Sequence, residues 1–498
     1  MNEPVSACGI PGVTGPVYAG GVNSPLDTSR HDLPRRIGFW GAAAVMIGVI
    51  VGSGIFKSPV AVADTIGSPA VILGLWALGG VLALVGGLTY AELTTRYPRS
   101  GGLYVFLREG YGRAGPPLAF TFGWTYMLIT KPFAAAGIMV PGAEHILKLA
   151  GFAAADGAVP ELPKLVLTTG LLVLFTWVNV PGVRLGTGLA MLLTTVKFGA
   201  LGLIVLVALA LMKGDAQNFR PSAAPTQVGA IAAFTMAMST ILWSYDGWAD
   251  VGSIAGEVKN PRRNLPRIFL LGVLGCTALY LAVNAVFIWM VPLPEMARAD
   301  TIAPMVAGRL IGGEAGAAAM MVTALIVVST LGSSHASIIT GARVTFAQAR
   351  DGLLFRSLGR IHGKHRTPAV ALWVQCGLSI TAVWMLGGSF QKLADGFVFT
   401  MWIFYGLAGV ALLLIRGREA RATDGGRTVG NEEAFRCPMY PLVPVLFIAS
   451  AFGMSALQIS GDWRGTLPWG AVLLAGAPMY YLWRRITRAD RSAAWQEG

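Results

Sequence analysis

The residues best suited to chemistry lie in a glycine-rich stretch from Gly48 to Phe56, inside a long apolar run. Glycine in a helix costs about 1 kcal/mol relative to alanine, so three glycines and a serine within a few residues loosen the helix. In a bilayer, irregular backbone is tolerated only where protein buries it or where it lines a wet cavity. The stretch therefore predicts a broken membrane helix that binds something small. The alternative is a helix-packing face, since Gly48 and Gly52 also fit the small-xxx-small pattern.

A second interruption, Trp243 to Asp250, combines glycine, serine and carboxylates inside another apolar run. A carboxylate at bilayer depth is costly and usually faces a cavity or a charged partner. Asp246 is therefore either a ligand of a substrate amine or a structural helix cap. Trp243 and Trp248 either pack in the core or form a gate over a substrate.

The two ends of a broken helix attract opposite charges. The half-helix that begins near Ile55 presents free N–H groups and a positive dipole end, which favour a carboxylate. The half-helix that ends near Ile50 presents free carbonyls, which favour an ammonium group. An anion alone would leave these carbonyls unpaired, at about 1–3 kcal/mol each. A zwitterion such as an α-amino acid suits both ends.

Three basic side chains lie deep within apolar segments. Lys197 is about twelve residues from either end of its segment, so its ammonium cannot easily reach the membrane surface. We expect it to contact the carbonyls of the first break, where it would replace a bound sodium ion and could carry a coupled proton. Lys131, which precedes Pro132, and His335 are more simply interpreted as structural hydrogen-bonding groups.

Two charged loops, Arg96 to Gly102 and Glu257 to Pro266, leave a choice open. They are either solvated connections or paired charges that close an inner gate.

The composition indicates a membrane protein with many spans. The 498 residues are 54% hydrophobic and 13% charged, with a mean hydropathy of +0.61, whereas soluble domains average about 25% charged residues. The net charge of +13 lies in loops and forms no basic domain, which excludes nucleic acid as a partner. The four cysteines lack metal or disulfide spacing, so we expect free thiols, no metal and no cofactor.

Twelve apolar segments are long enough to cross about 30 Å of hydrocarbon. They are 38–62, 69–94, 116–148, 163–180, 185–212, 228–255, 266–291, 315–346, 368–388, 394–415, 440–460 and 467–484. With the N-terminus in the cytoplasm, 27 Lys and Arg fall in inside segments and 8 in outside segments. This asymmetry predicts that both termini are cytoplasmic.

The two interruptions hold corresponding positions in two halves of the chain, which is the pattern of an inverted-repeat transporter with a site at mid-membrane. We predict an all-α polytopic protein with discontinuous helices 1 and 6. Its parts are a disordered cytoplasmic tail (1–36), two five-helix repeats (37–212 and 227–415), two further helices (440–484) and a cytoplasmic C-terminal tail (485–498).

The chain resembles the amino acid–polyamine–organocation superfamily, most closely the L-type amino-acid transporters and their bacterial relatives. The matching residues keep their order along the chain: Gly52-Ser53-Gly54-Ile55-Phe56, Tyr90-Ala91-Glu92-Leu93, Pro98 to Gly102, Trp124-Thr125, Lys131-Pro132, Lys197, Tyr245 to Trp248, Glu257 to Pro266, Gly341 to Arg343 and Ala349 to Gly352. The resemblance implies a five-plus-five inverted repeat of the LeuT type that works by alternating access.

The resemblance also implies a substrate site. Its residues are Ile50, Gly52, Ser53, Gly54, Trp243, Ser244 and Asp246. In the family pattern, the amides of Ser53 and Gly54 hold the substrate carboxylate, and carbonyls near Ile50 and at the second break hold the ammonium. Trp243 falls at an aromatic gate. Lys197 matches a lysine at the sodium site of related transporters, which implies sodium-independent transport.

The sequence departs from the family at Asp246, Ala249 and His335, around the expected side-chain pocket, so substrate identity does not carry over. Animal members join a glycoprotein through a cysteine in the loop after the third span. The corresponding loop, Gly151 to Pro163, has no cysteine, so we expect no disulfide-linked heavy chain.

We therefore expect a sodium-independent secondary amino-acid transporter, an exchanger or facilitator, in the inner (plasma) membrane. The alternative is a proton-coupled permease for cationic amino acids or polyamines, in which Asp246 binds the extra positive charge. An enzyme is not expected, because the sequence has no His-Glu-x-x-His helix, clustered Ser/His/Asp set or soluble catalytic domain.

Overall fold

The computed structural model describes residues 33–152, 159–311, 316–388, 390–423, 434–461 and 463–494. Most of the predicted N-terminal tail and the last four residues of the predicted C-terminal tail lie outside these ranges. Within them, regular structure is helical apart from one isolated bridge between Ile37 and Val258. The prediction of an all-α fold is confirmed for the described chain.

Seventeen α-helices are described. They are α1 Phe39–Ile50, α2 Gly54–Thr65, α3 Pro69–Arg96, α4 Leu103–Gly110, α5 Gly115–Thr125, α6 Lys131–Leu149, α7 Glu161–Asn179, α8 Val183–Leu211, α9 Ala230–Tyr245, α10 Pro261–Met290, α11 Leu293–Met296, α12 Ile302–Ile311, α13 Ala317–Arg350, α14 Ala369–Met385, α15 Phe390–Thr423, α16 Leu442–Gly461 and α17 Trp463–Ala494. Each of the twelve predicted segments falls on one or two of these helices.

Eight stretches among the described residues are helical, long and apolar enough to cross a membrane, counting α1 and α2 together. Large apolar side chains remain exposed on their outer faces, for example Leu206 (65%), Leu271 (58%) and Trp177 (61%). Such faces are stable only against lipid or another protein. The chain is a multi-pass membrane protein.

Both predicted interruptions are present. The first separates α1 from α2 at residues 51–53, and the second ends α9 at Tyr245. After the second break, Gly247 takes a φ of +113° and a 3₁₀-helical segment runs over Trp248–Glu257. A Cβ at Gly247 would lie 2.5 Å from Val49 Cγ1, so glycine is needed both for the backbone angle and for the close approach of the two breaks.

The third predicted segment is also irregular. A π-helical turn, Tyr126–Thr130, joins α5 to α6 immediately before Lys131 and Pro132. Proline lacks an amide donor, so the regular hydrogen-bond ladder is interrupted in the preceding turn. The widened turn carries Lys131 into the interior, where only 3% of the residue is exposed.

Buried ion pairs hold the ends of the helices at the side where α3 ends. The fully buried Glu92 of α3 accepts hydrogen bonds from Arg416 Nε (2.8 Å), Arg96 Nε (2.8 Å) and the Cys437 amide (2.7 Å). It therefore joins α3, α15 and the segment before α16. Cys276, Cys376 and Cys437 are free and buried, as expected, and Cys8 lies outside the described residues.

Charged residues of both loops form ion pairs with residues outside the two loops. Glu257 binds Arg343 of α13 (Nε to Oε1, 2.8 Å), and Arg96 pairs with Glu92 and with Glu419 of α15. Gly101 N–H donates to the Ser253 carbonyl at 3.1 Å. Glu257 and Arg96 thus form ion pairs with residues outside the other loop, and the inner gate stays a prediction.

Replacing Glu92 with glutamine should destabilise the protein, because two arginines would keep buried charges without their shared carboxylate. Breaking such a pair typically costs about 3–5 kcal/mol. The measurement is the thermal unfolding midpoint in detergent. The control Glu109→Gln removes a carboxylate that is one-third exposed and pairs with Arg108, and it should cost at most about 1 kcal/mol. Equal shifts for the two variants would contradict the assignment of Glu92 as a structural hub.

Candidate functional site

A cavity lies where the two helix breaks meet. Its volume is about 400 Å³. Its walls are Val49, Ile50, Gly52, Ser53, Gly54, Lys131, Ala134, Ile138, Trp243, Ser244, Asp246, Ser337 and Phe397. All seven candidate substrate-binding residues from the sequence are therefore brought together at one cavity.

The side of the cavity formed by α2 offers hydrogen-bond donors. The first N–H groups of a helix have no intrahelical acceptor, and at α2 these belong to Gly54 and Ile55. The Ser53 hydroxyl is buried, lines the cavity and has no hydrogen-bond partner among the described residues. Buried hydroxyls are nearly always paired in stable structures. An unpaired one at a cavity wall is suited to a ligand.

Gly54 makes the close approach of α2 and α9 possible. A Cβ at this position would lie 2.6 Å from Ser244 Oγ and 2.8 Å from Ser244 Cα. Ser244 Oγ itself donates to Ser58 Oγ at 2.6 Å, which ties the end of α9 to α2. Any side chain at Gly54 would therefore push apart the two walls of the cavity.

The carbonyl predicted to bind an ammonium group is occupied in this conformation. Ile50 C=O accepts from the Tyr280 hydroxyl at 2.8 Å and from the Gly52 amide at 2.9 Å. The same Tyr280 hydroxyl lies 3.0 Å from the Ser244 carbonyl. Tyr280 of α10 thus stands between the two breaks and holds one carbonyl from each, a contact that local sequence pattern did not indicate.

Aromatic residues take different positions around the cavity. Trp243 lines it and packs edge-on against Phe397 of α15, with ring centroids 5.1 Å apart. Trp248 lies outside the lining, between Tyr90 (4.9 Å) and Tyr405 (5.0 Å). Of the two tryptophans, only Trp243 has the position that a gate requires, and Trp248 is a core residue.

The charges of the cavity wall come from Asp246 and Lys131. Asp246 Oδ1 accepts from the Tyr405 hydroxyl at 2.7 Å. Lys131 Nζ forms an ion pair with Asp250 and lies 3.3 Å from Ser337 Oγ, while Thr340 Oγ1 donates to Asp250 at 2.9 Å. The sequence analysis missed the pairing of Lys131 with Asp250. The available signal was an acidic residue one helical turn beyond Asp246, within the same interrupted segment.

Lys197 lies behind the first break, outside the cavity lining. Its ammonium donates to the Gly48 carbonyl at 2.5 Å and to Ser333 Oγ at 2.8 Å. Ser333 Oγ also lies 3.0 Å from the Val51 carbonyl, and Ser329 Oγ lies 3.3 Å from it. Contact between Lys197 and a carbonyl of the broken helix is the geometry that the sequence analysis expected.

His335 has a structural position. Its Nδ1 lies 3.1 Å from Asn179 Nδ2, and its Nε2 lies 2.9 Å from the Gly186 carbonyl. These contacts join α13 to α7 and α8 away from the cavity. The structural interpretation agrees with this placement, whereas the expectation that His335 borders the side-chain pocket does not.

Polar contacts lie on both sides of the cavity. On the side of α2, Lys57 Nζ lies 3.8 Å from Glu144 and 4.0 Å from Asp300, and Lys148 donates to Asp300 at 2.9 Å. Partial burial would raise the pKa of Asp300, but the hydrogen bond from Lys148 and the charges of Lys57 and Lys148 hold it below its ordinary value.

A smaller void of about 240 Å³ lies on the opposite side, lined in part by Asp250, Ser253 and Gly101. Beyond the Lys131–Asp250 pair, the Gly101–Ser253 hydrogen bond joins the segment before α4 to the 3₁₀-helical segment Trp248–Glu257.

Comparisons with known proteins give one family and several relatives. Residues 37–477 match the family described as amino acid permease. The chain is 30% identical to the serine/threonine exchanger SteT of Bacillus subtilis over 92% of this chain and 98% of that protein. It is 31% identical to the mouse b(0,+)-type amino acid transporter 1 over 77% and 76% of the two chains, and 28% identical to the human cystine/glutamate transporter over 94% and 89%.

The matched region contains both helix breaks, the cavity and the buried Lys197, and the relatives are transporters rather than enzymes. The chain belongs to the amino acid permease family, within the amino acid–polyamine–organocation superfamily.

Proposed function

We propose that this protein is a sodium-independent secondary amino-acid transporter that works as an exchanger or facilitator by alternating access. The observation that carries the proposal is the cavity between the two breaks, with the unpaired Ser53 hydroxyl in its wall. The amides at the start of α2 would hold the carboxylate of the substrate. Carbonyls at the ends of α1 and α9 would hold its ammonium.

The binding step requires the cavity to widen. Tyr280 must release the Ile50 carbonyl, or share it, before a substrate ammonium can bind there. The substrate would thereby replace an internal hydrogen bond with its own. Because Tyr280 lies on α10 and Ile50 on α1, replacing the Tyr280 hydrogen bond by one from the substrate ammonium links substrate binding to movement of α10 relative to α1.

Two five-helix repeats, residues 37–212 and 227–415, would move relative to each other around this site, with 440–484 as two additional helices. The equivalent breaks at residues 51–53 and after Tyr245 support this division. With twelve spans, both termini would face the cytoplasm, in accordance with the distribution of Lys and Arg. The location would be the inner (plasma) membrane.

Sodium independence follows from Lys197. Its ammonium occupies the place beside the Gly48 carbonyl and Ser333 hydroxyl where a small cation would otherwise find oxygen ligands. Because the Lys197 ammonium is part of the protein, these oxygens need no bound sodium ion. No disulfide-linked heavy chain is expected, since the sequence from 151 to 163 contains no cysteine.

A permease for cationic amino acids or polyamines is the second candidate. Asp246 favours it, because its carboxylate lines the cavity while Lys131, the positive charge in the same wall, is paired with Asp250. A second positive charge on the substrate could therefore bind Asp246 without meeting an uncompensated lysine.

The variant Gly54→Val should lose amino-acid uptake in proteoliposomes, because its side chain would occupy the space next to Ser244. The substrate for the assay is chosen by a thermal-shift screen of common amino acids and amines, since a ligand stabilises the native state. Gly74→Val is the matched control, as a Cβ there meets no atom within 4 Å. Wild-type uptake by Gly54→Val would rule out this cavity as the substrate site.

The variant Lys197→Ala should reduce transport at least about tenfold, because the carbonyls at the first break lose a charge-assisted hydrogen bond worth about 1.5–3 kcal/mol. Initial uptake rates are measured with and without sodium. The control Lys213→Ala removes a lysine just beyond the end of α8, whose ammonium donates to the Leu310 carbonyl. This variant should transport normally. Normal, sodium-insensitive transport by Lys197→Ala would show that our account of this residue is wrong.

Asp246→Asn distinguishes the two candidate functions. Competition of arginine or putrescine against a labelled neutral amino acid should weaken about tenfold or more in this variant if Asp246 binds a cationic group, since a hydrogen bond to a charged group is worth about 1.5–3 kcal/mol. Neutral amino acids should compete as before. Asp215→Asn, a change at an exposed carboxylate outside the cavity that accepts from the Gln217 amide, provides the control. Equal loss for neutral and cationic competitors would remove the case for the cationic permease.

A further inference from the structure

We propose that a groove between the start of α1 and the first turns of α10 binds an anionic phospholipid of the membrane. The groove is open, holds about 850 Å³ and is lined by Phe39, Arg263, Asn264, Arg267, Leu270 and Leu271. Its two ends differ in chemistry: guanidinium groups stand at one end and apolar side chains at the other. A phospholipid has the same division between its phosphate and its acyl chains.

The positions of the arginines and leucines along α10 place the boundary between charged and apolar side chains at the depth of a membrane surface. Arg263, Arg267, Leu270 and Leu274 follow each other at intervals of three or four residues, so they share one face of the helix. The helix is among those long and apolar enough to span the membrane, and its arginines lie in the first two turns. Leu274 is 45% exposed on the same face, where acyl chains must cover it.

A second basic groove adjoins the first and shares Arg263 with it. An adjoining open groove of about 900 Å³ is lined by Arg35, Pro98, Asn260, Pro261, Arg262 and Arg263. The segment that carries Arg35 is fixed next to α10, because Ile37 N–H donates to the Glu257 carbonyl at 2.9 Å and Lys259 N–H donates to the Ile37 carbonyl at 2.8 Å. Arg35 is therefore held beside the arginines of α10 by the backbone.

Among the described residues, Arg263 and Arg267 have no acidic counter-ion. No acidic residue lines either groove, and no carboxylate among the described residues lies within salt-bridge distance of Arg263 or Arg267. The nearby Glu257 is fully buried and paired with Arg343. Basic pockets of this kind at the cytoplasmic side of membrane helices attract anionic headgroups at about 1 kcal/mol per Lys or Arg.

The position of the groove gives the lipid an effect on the cavity. One wall belongs to α1, which ends at Ile50, and the other to α10, which carries Tyr280. The hydrogen bond between the Tyr280 hydroxyl and the Ile50 carbonyl joins these two helices at the cavity. A lipid whose acyl chains pack on Phe39 of α1 while its headgroup binds Arg263 and Arg267 of α10 would join the two helices a second time and stabilise the arrangement described here.

The test uses the purified full-length protein in a neutral detergent with added phosphatidylglycerol or phosphatidylcholine of matched acyl chains. Native mass spectrometry counts bound lipid, and thermal unfolding measures stabilisation. Phosphatidylglycerol should remain bound and raise the unfolding temperature more than phosphatidylcholine does. The double variant Arg263→Gln/Arg267→Gln should bind phosphatidylglycerol about thirtyfold more weakly.

Two controls make the test specific. The variant Arg356→Gln/Arg360→Gln loses the same number of exposed arginines elsewhere and should retain the preference. Glycerol phosphate, which has the anion but no acyl chains, should not replace the lipid. The proposal fails if both lipids stabilise equally, if the Arg263/Arg267 variant behaves like the wild type, or if glycerol phosphate stabilises as well as phosphatidylglycerol.

Discussion

The structure depends on how the backbone groups exposed by the first helix break are satisfied inside a membrane. A buried backbone group without a partner costs free energy comparable to a lost hydrogen bond, and no water in the hydrocarbon can supply one. Four side chains from three other helices meet this demand: Lys197, Ser329, Ser333 and Tyr280. Their donors cover the carbonyls of Gly48, Ile50 and Val51. The donors at the start of α2 and the Ser53 hydroxyl are left at the cavity wall, which is why the cavity favours an acceptor on that side.

This arrangement also explains why glycine occurs where it does. Gly247 brings the second break against Val49, and Gly54 brings α2 against Ser244. Without these approaches, the free N–H groups and the carbonyls would lie too far apart for one small zwitterion to reach both. The two glycines allow the helix breaks to approach each other. The lysine, the serines and the tyrosine donate hydrogen bonds to the carbonyls that the first break exposes. The close approach of the breaks and these hydrogen bonds are both needed if one site is to offer donors on one side and acceptors on the other.

The sequence predicted the features that are local along the chain. Apolar runs indicated the helices, and the clusters of glycine and serine indicated the breaks, because backbone preference and hydrophobic length are properties of consecutive residues. It also indicated that Lys197 needs carbonyl partners, since a lysine at that depth has few alternatives. The assignment of seven residues to one cavity came from the family resemblance, and their roles in binding remain a prediction.

The pairs that the sequence did not indicate join residues far apart in the chain. Lys131 meets Asp250 only because the π-helical turn before Pro132 rotates it inward, and Glu92 meets Arg416 only because α3 packs beside α15. Asp250 was visible as a second acidic residue near Asp246, but the sequence around Lys131 or Arg416 does not specify which carboxylate each of them meets. The placement of His335 among α7, α8 and α13 depends in the same way on packing between helices.

Contacts of different strength lie on the two sides of the cavity, and this difference has a consequence for the transport cycle. On the side of α2, Lys57 meets Glu144 and Asp300 at 3.8–4.0 Å with partly exposed side chains, and such pairs are worth about 0–1 kcal/mol each. On the opposite side, Lys131 and Asp250 are almost fully buried, and breaking a buried pair costs about 3–5 kcal/mol. The empty protein should therefore open more readily towards α2, and opening in the other direction needs the additional interactions that a bound substrate provides.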